Sequence, residues 1–175
     1  MADHESRIGA IAASFEEAMA RFRARLSSAD PAAAERVPDG GGWTPSQVAM
    51  HVAMVNLSFA SIVDGSRPAA QPAPEGFVER SWAEIVGGIP EKLEAPSRAH
   101  PPVGVTRDAA IEALAASEAK LVTALRGLDA GRARLTIESP IVGGRVSLYQ
   151  VGEWAVAHVI RHNKQAKRLL GGRSG

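Results

Sequence analysis

Residues 147–170, SLYQVGEWAVAHVIRHNKQAKRLL, decide the fold. Val151, Trp154, His158, His162, Gln165 and Leu169 step by 3, 4, 4, 3 and 4, which draws one stripe along a helix. Ser147, with Gln150 three residues later, forms a capping box at its start, and Gly171-Gly172 supply a stop. An earlier segment repeats the design. Thr44 suits an N-cap, Pro45 the first helical position and Gln47 the closing side of a second capping box. Val48, Val52, Val55, Phe59 and Ile62 then make the stripe of this helix two, which should stop near Asp64-Gly65. Helix three opens at Thr106 with Asp108 in its first turn, and its face is Ile111, Leu114, Leu121, Leu125 and Leu128. Helix one carries Ile8, Ile11, Phe15, Met19, Phe22 and Leu26. Almost nothing reads with period two. Four amphipathic helices of about 20 residues bury their stripes most economically as an all-α four-helix bundle.

The connections are unequal. Residues 27–42 include Pro31, Pro38 and three consecutive glycines, which leaves room for a helical turn only. Residues 65–105, between helices two and three, carry seven of the eleven prolines. A structureless loop of that length is foreign to a compact domain, so residues 77–86 are predicted to dock Val78, Trp82, Ile85 and Val86 onto the bundle. The same length permits a crossover in place of strict up-down-up-down order. Residues 134–138 and 141–146 flank a Ser139-Pro140 break and predict a short β-ribbon before helix four. The expected organisation is one domain over residues 1–175, long enough to bury about 70% of its unfolded surface.

Composition removes several chemistries. Zero cysteines exclude disulfides, thiolate metal sites and cysteine nucleophiles. Twenty basic against nineteen acidic residues leave a charge of +1, so no general field draws nucleic acid. Arg161, Lys164, Lys167, Arg168 and Arg173 read as a solvated outer face of helix four. No apolar run was expected to reach the roughly 20 residues of a membrane span. The N-terminus lacks a basic leader and sets Glu16 and Glu17 where a signal peptide needs an apolar core, so a cytoplasmic location is expected.

The chemistry that remains lies in the histidines. His4 and His100 fall outside the stripes and read as solvated. His51 lies between Val48 and Val55 on the inner face of helix two. His158 and His162, at i and i+4, lie one above the other on helix four with about 6 Å of rise between their α-carbons. Both imidazoles can reach one ion, and a third from a facing helix completes a three-nitrogen set with positions left open. Neutral imidazole suits Ni, Zn, Fe or Cu, and ligand type alone does not choose among them. A single inward histidine is more often a satisfied core residue, but each of three buried rings must find a partner. Val159 stands where a zincin carries its general-base glutamate, and the Glu-x-x-His pairs of di-iron bundles are missing. Gly40-Gly41-Gly42 lacks the lysine and the preceding strand of a phosphate-binding loop.

Gly42-Trp43-Thr44-Pro45-Ser46-Gln47-Val48, followed by His51, resembles the helix-two motif of the DinB/YfiT-like metalloenzymes. The run from His158 to Gln165, HVIRHNKQ, resembles the closing motif of that family. The resemblance implies a bundle with a long crossover and a mononuclear divalent metal (Ni, Zn or Fe) on His51, His158 and His162. It also implies a metal-dependent transferase, with a low-molecular-weight thiol as co-substrate and a small electrophile as substrate, working as a homodimer. A hydrolase or isomerase is a less favoured reaction. The competing expectation is a non-catalytic dimeric bundle that binds metal or ligand. Neither a membrane nor nucleic acid is expected as partner.

Other residues have weaker claims. Glu118 sits on the helix-three stripe where an apolar residue belongs. It is either an acceptor behind a histidine ligand, a further ligand or the acid–base group, or else a stripe-edge carboxylate that reaches water. No other catalytic residue is named. Gln165 either hydrogen-bonds within the site or caps a neighbouring loop. Trp43 reads first as a hydrophobic staple and second as a pocket wall. Because the ligands must be deprotonated, metal occupancy should fall as the pH drops toward the histidine range.

Overall fold

Capping and stripe act together to set the helix limits. Thr44 accepts from the backbone N–H of Gln47 at 3.1 Å while Gln47 Oε1 accepts from the Thr44 N–H at 3.0 Å. Ser147 and Gln150 make the same reciprocal pair, both bonds at 3.2 Å. These two boxes start α3 (Pro45–Val63) and α7 (Leu148–Gly171) of the computed structural model, which describes residues 2–87, 94–139 and 143–171. The other long helices are α1 (Ala2–Ser27) and α5 (Arg107–Arg126), the latter capped by Thr106 as its sequence requires. Short helices α2 (Pro31–Glu35), α4 (Trp82–Gly87) and α6 (Ala130–Ala133) lie in the connections. Strands β1 (Thr136–Glu138) and β2 (Arg145–Ser147) form the antiparallel ribbon, with Ile137 opposite Val146. Gln71 adds an isolated bridge to Thr136 that the sequence pattern did not signal.

The α3 stop comes where expected, with Gly65 at φ +85° just past the cap residue Asp64. Arg132 satisfies two carbonyls left open at that end, donating to Ile62 and Val63 at 2.9 Å each. Around the bundle the order is α1, α5, α3, α7, so α1 and α3 lie diagonally across it. Arg7 pairs with Glu153 and Arg25 with Asn163, which makes α1 and α7 parallel. His51 meets His158 while Phe59 meets Trp154, so α3 and α7 are antiparallel. Glu16 pairs with Arg126 and Arg23 with Glu118, so α1 and α5 are antiparallel, and α5 therefore runs parallel to α3, with Asn56 beside Ser117. A parallel neighbour can be reached only if the chain returns along the whole helix, roughly 28 Å for 19 residues. The long proline-rich connection makes that crossing.

The core holds Phe15, Met19, Phe22 and Leu26 of α1, with Leu114, Leu121 and Leu125 of α5, all fully buried. Gly152 allows α7 to approach, because a side-chain carbon there would sit 2.9 Å from methyls of both Ile11 and Leu125. Three expectations need correction. The docking segment is shorter than 77–86: the helix begins at Trp82, and Ile85 is buried while Val78 is 80% and Trp82 41% exposed. A single turn of helix presents one inward position, and Ile85 takes it. The Val86 side chain, Pro140, Ile141, Val142, Gly172 and Arg173 lie outside what is described. Second, α3 is long and apolar enough by length and composition to cross a membrane, with a mean hydropathy of 1.4, although no such run was expected. Eleven of its residues are buried in the bundle, between α5 and α7. Third, the buried seam of α7 runs through Ala155, Val159 and Ala166, which places His158 and His162 on the flank of the seam.

Candidate metal centre

The capping box fixes where α3 starts, and that places His51 in its second turn, 4% exposed and directed at α7. Its Nδ1 lies 2.7 Å from the carbonyl oxygen of Ala99. A carbonyl only accepts, so Nδ1 carries the proton and the neutral ring keeps a lone pair on Nε2. On α7, His162 Nδ1 lies 2.8 Å from Oε1 of Gln165, an acceptor, so this ring also keeps its lone pair on Nε2. His158 comes in between, with Nε2 3.2 Å from His51 Nε2. The ring centroids of the three histidines are 4.4–5.1 Å apart, and their candidate ligand nitrogens all lie within 4.8 Å of one another.

The donor set suits a divalent ion. Two imidazole nitrogens bound to one zinc-like ion at about 2.0–2.1 Å are roughly 3 Å apart, and His51 and His158 already stand at that separation. Without a cation, one proton must bridge these two nitrogens, and Nδ1 of His158, buried with no hydrogen-bond partner among the described residues, is left an unpaired acceptor. The three side chains could hold a divalent metal ion. His158 and His162 are partly exposed as whole residues, although Nδ1 of His158 is buried.

Burial is the main cause of depressed basicity at all three rings. It holds His51 below the ordinary imidazole value against the Ala99 hydrogen bond, with His100 adding to the fall. His158 lies well below that value, through burial and then His162, His51 and Arg161. His162 is pushed down to about 4, by burial and then His51, and the Gln165 bond opposes this. All three are therefore neutral near pH 7, the form that binds metal. In the unfolded chain histidine titrates near about 6.5, so the unfolded state takes up more protons between there and about 4. For His162, stability is fully present above about 6.5 and declines as the pH falls through that window. Denaturant midpoints of metal-free protein should fall from pH 7 to pH 4, and His162→Gln should flatten part of that fall. Equal slopes for the two proteins would contradict the assignment.

The ring of Trp43 lies 4.9 Å from that of His51 and meets His100 edge-on at 5.8 Å. Trp43 also packs against the hydrophobic core, so it stands both at the cluster and on the apolar interior. Phe59 stands edge-on to His158 at 6.4 Å. The structure places Gln165 within the cluster, whereas the Glu118 carboxylate lies 3.0 Å from Arg23, between α5 and α1. Burial raises the Glu118 carboxyl above its ordinary value, against the pull of Arg23. Neither outlying histidine is merely solvated. His4 donates through Nε2 to Leu128 O at 2.9 Å and accepts from the Tyr149 hydroxyl at 2.6 Å. His100 is exposed but donates through Nε2 to Ala95 O at 2.8 Å. Sequence reasoning missed the Ala99 carbonyl, since a backbone acceptor brought in by a long connection leaves no side-chain signal.

Two grooves lie away from the cluster. One of about 260 Å³ runs between α1 and α7 beside Trp82, and one of about 200 Å³ lies among Asp3, Arg7, Glu79, Arg134 and Tyr149.

The sequence model of the DinB superfamily matches residues 14–166 of this chain, a span that contains His51, His158, His162 and Gln165. No curated protein and no solved structure gives a significant match.

Proposed function

The chain belongs to the DinB superfamily, and on that premise we propose that it is a metal-dependent enzyme. One divalent ion would bind His51, His158 and His162, and the reaction would transfer a small thiol onto a small electrophile. The observation that carries the reading is the convergence of three neutral imidazoles, two with their Nδ1 tied to acceptors behind them. A divalent ion held by these three side chains would supply Lewis acidity, which favours thiolate over thiol. The thiol proton passes to solvent, the sulfur forms its bond to the electrophilic carbon, and the displaced electron pair takes a proton or departs with its leaving group. The chain contributes orientation. Ala99 and Gln165 fix two rings, Trp43 and Phe59 stand against the cluster, and a substrate would have to approach from the partly exposed flank of α7. The same reading takes the chain to act as a cytoplasmic homodimer, in keeping with the family it resembles.

Cobalt-loaded protein tests this directly. Titration with 2-mercaptoethanol should raise a sulfur-to-cobalt charge-transfer band, and conjugation of the thiol to a small epoxide should exceed the uncatalysed rate. Both should vanish in the His158→Ala/His162→Ala variant. Cobalt bound without any thiol band or turnover would replace the enzyme reading with a non-catalytic metal-binding bundle.

A further inference from the structure

The proline-rich crossover reaches the metal centre through a single turn, Ser97–Ala99. Ala99 is buried, and its carbonyl takes the Nδ1 proton of His51 at 2.7 Å. That turn is closed on itself by backbone bonds from Ala99 to Pro96 at 2.8 Å and from His100 to Ser97 at 3.1 Å. The His100 side chain then reaches back over the turn to the Ala95 carbonyl at 2.8 Å. Two contacts hold the segment to the start of α3. The capping-box residue Gln47 donates to Pro102 O at 2.9 Å, and the ring of Trp43 meets those of both His51 and His100. His100 is thus the side chain that ties both flanks of the turn carrying the carbonyl.

We propose that His100 is a positioning residue of the metal centre: by anchoring the 97–99 turn it holds the Ala99 carbonyl on His51 Nδ1 and keeps the Nε2 lone pair facing α7. It is not a ligand, since the nitrogens that converge are those of His51, His158 and His162. The consequence for affinity rests on the reading of the triad as a metal site; the consequence for the His51 tautomer does not. Groups behind a metal-bound histidine fix its tautomer and ring orientation, and their loss costs about 10–100-fold in metal affinity. Because this group sits on the crossover, docking of that connection and metal binding favour each other.

The test uses the full-length chain and cobalt(II). Long-range proton–nitrogen spectra of the metal-free protein should show His51 as a single Nδ1–H tautomer. In His100→Ala the spectrum should show a mixture with the Nε2–H form, and cobalt affinity should fall about tenfold. His100→Gln, whose amide can donate to Ala95, should restore both, which separates the hydrogen bond from the lost ring contact with Trp43. His100 is exposed, so neither variant opens a core cavity. A His100→Ala protein with a pure Nδ1–H tautomer and native affinity would overturn the proposal. Native protein that takes up no cobalt, while His100→Ala still mixes tautomers, would leave the positioning role standing and remove the functional reading.

Discussion

Replacement of His51 with alanine should lower divalent-metal affinity by at least about 100-fold, more than the loss of a partner behind a ligand costs. The residue supplies one of three lone pairs and is the only one of the three that comes from α3. The remaining pair, His158 and His162, sits on one helix and cannot surround an ion. The same change leaves the buried Ala99 carbonyl without its donor, a loss of about 1–3 kcal/mol in the metal-free protein. His158→Ala separates the two effects, because it gives up the Nε2 contact with His51 but leaves the Ala99 carbonyl paired. Both variants should lose metal, and only His51→Ala should also lose the stability tied to the carbonyl. Competition with a chromophoric chelator measures the first quantity and metal-free denaturant unfolding the second. With the ion at about 100 times its dissociation constant, native protein should gain about 2.7 kcal/mol and His51→Ala almost none. Native affinity in His51→Ala would remove this residue from the site.

The largest effect on folding is expected at Phe15. This ring has no exposed surface and lies on the α1 stripe that faces the centre of the bundle. Phe15→Ala combines the lost transfer energy with the cavity left behind, for about 3–5 kcal/mol. Against a total stability of about 5–15 kcal/mol, that is a large share of what keeps the chain folded. The urea midpoint should fall with little change in slope. Unfolding within about 1 kcal/mol of the native value would mean that the bundle collapses to fill the space, or that this stripe does not face the core.

These two sites also show why parts of the chain are legible and others are not. The α1 stripe from Ile8 to Leu26 is wholly buried, because large apolar residues at helical spacing leave the helix one way to face. Capping chemistry is local, so Thr44 with Gln47 and Ser147 with Gln150 locate two helix starts from sequence alone. The face of α7 is harder to read. Its seam is built from Ala155, Val159 and Ala166, whose small side chains weigh little beside Trp154 and the histidines. That rotation brings His158 and His162 to the edge of the seam. The triad itself follows from i, i+4 spacing and a third histidine on a stripe. The Ala99 carbonyl and the role of His100 follow only from the path of the crossover, which is set by tertiary packing. Glu118 marks the limit of pattern reasoning. It occupies a stripe position, but its carboxylate finds Arg23 of α1.

On the proposed function, His51, His158 and His162 together hold one divalent ion. Elemental analysis of the native protein beside His158→Ala/His162→Ala addresses this claim most directly. The expected result is about one equivalent of nickel, zinc or iron per native chain, and none in the double variant. A native protein that contains no metal and refuses added divalent ions, or a double variant with the same metal content, would contradict it.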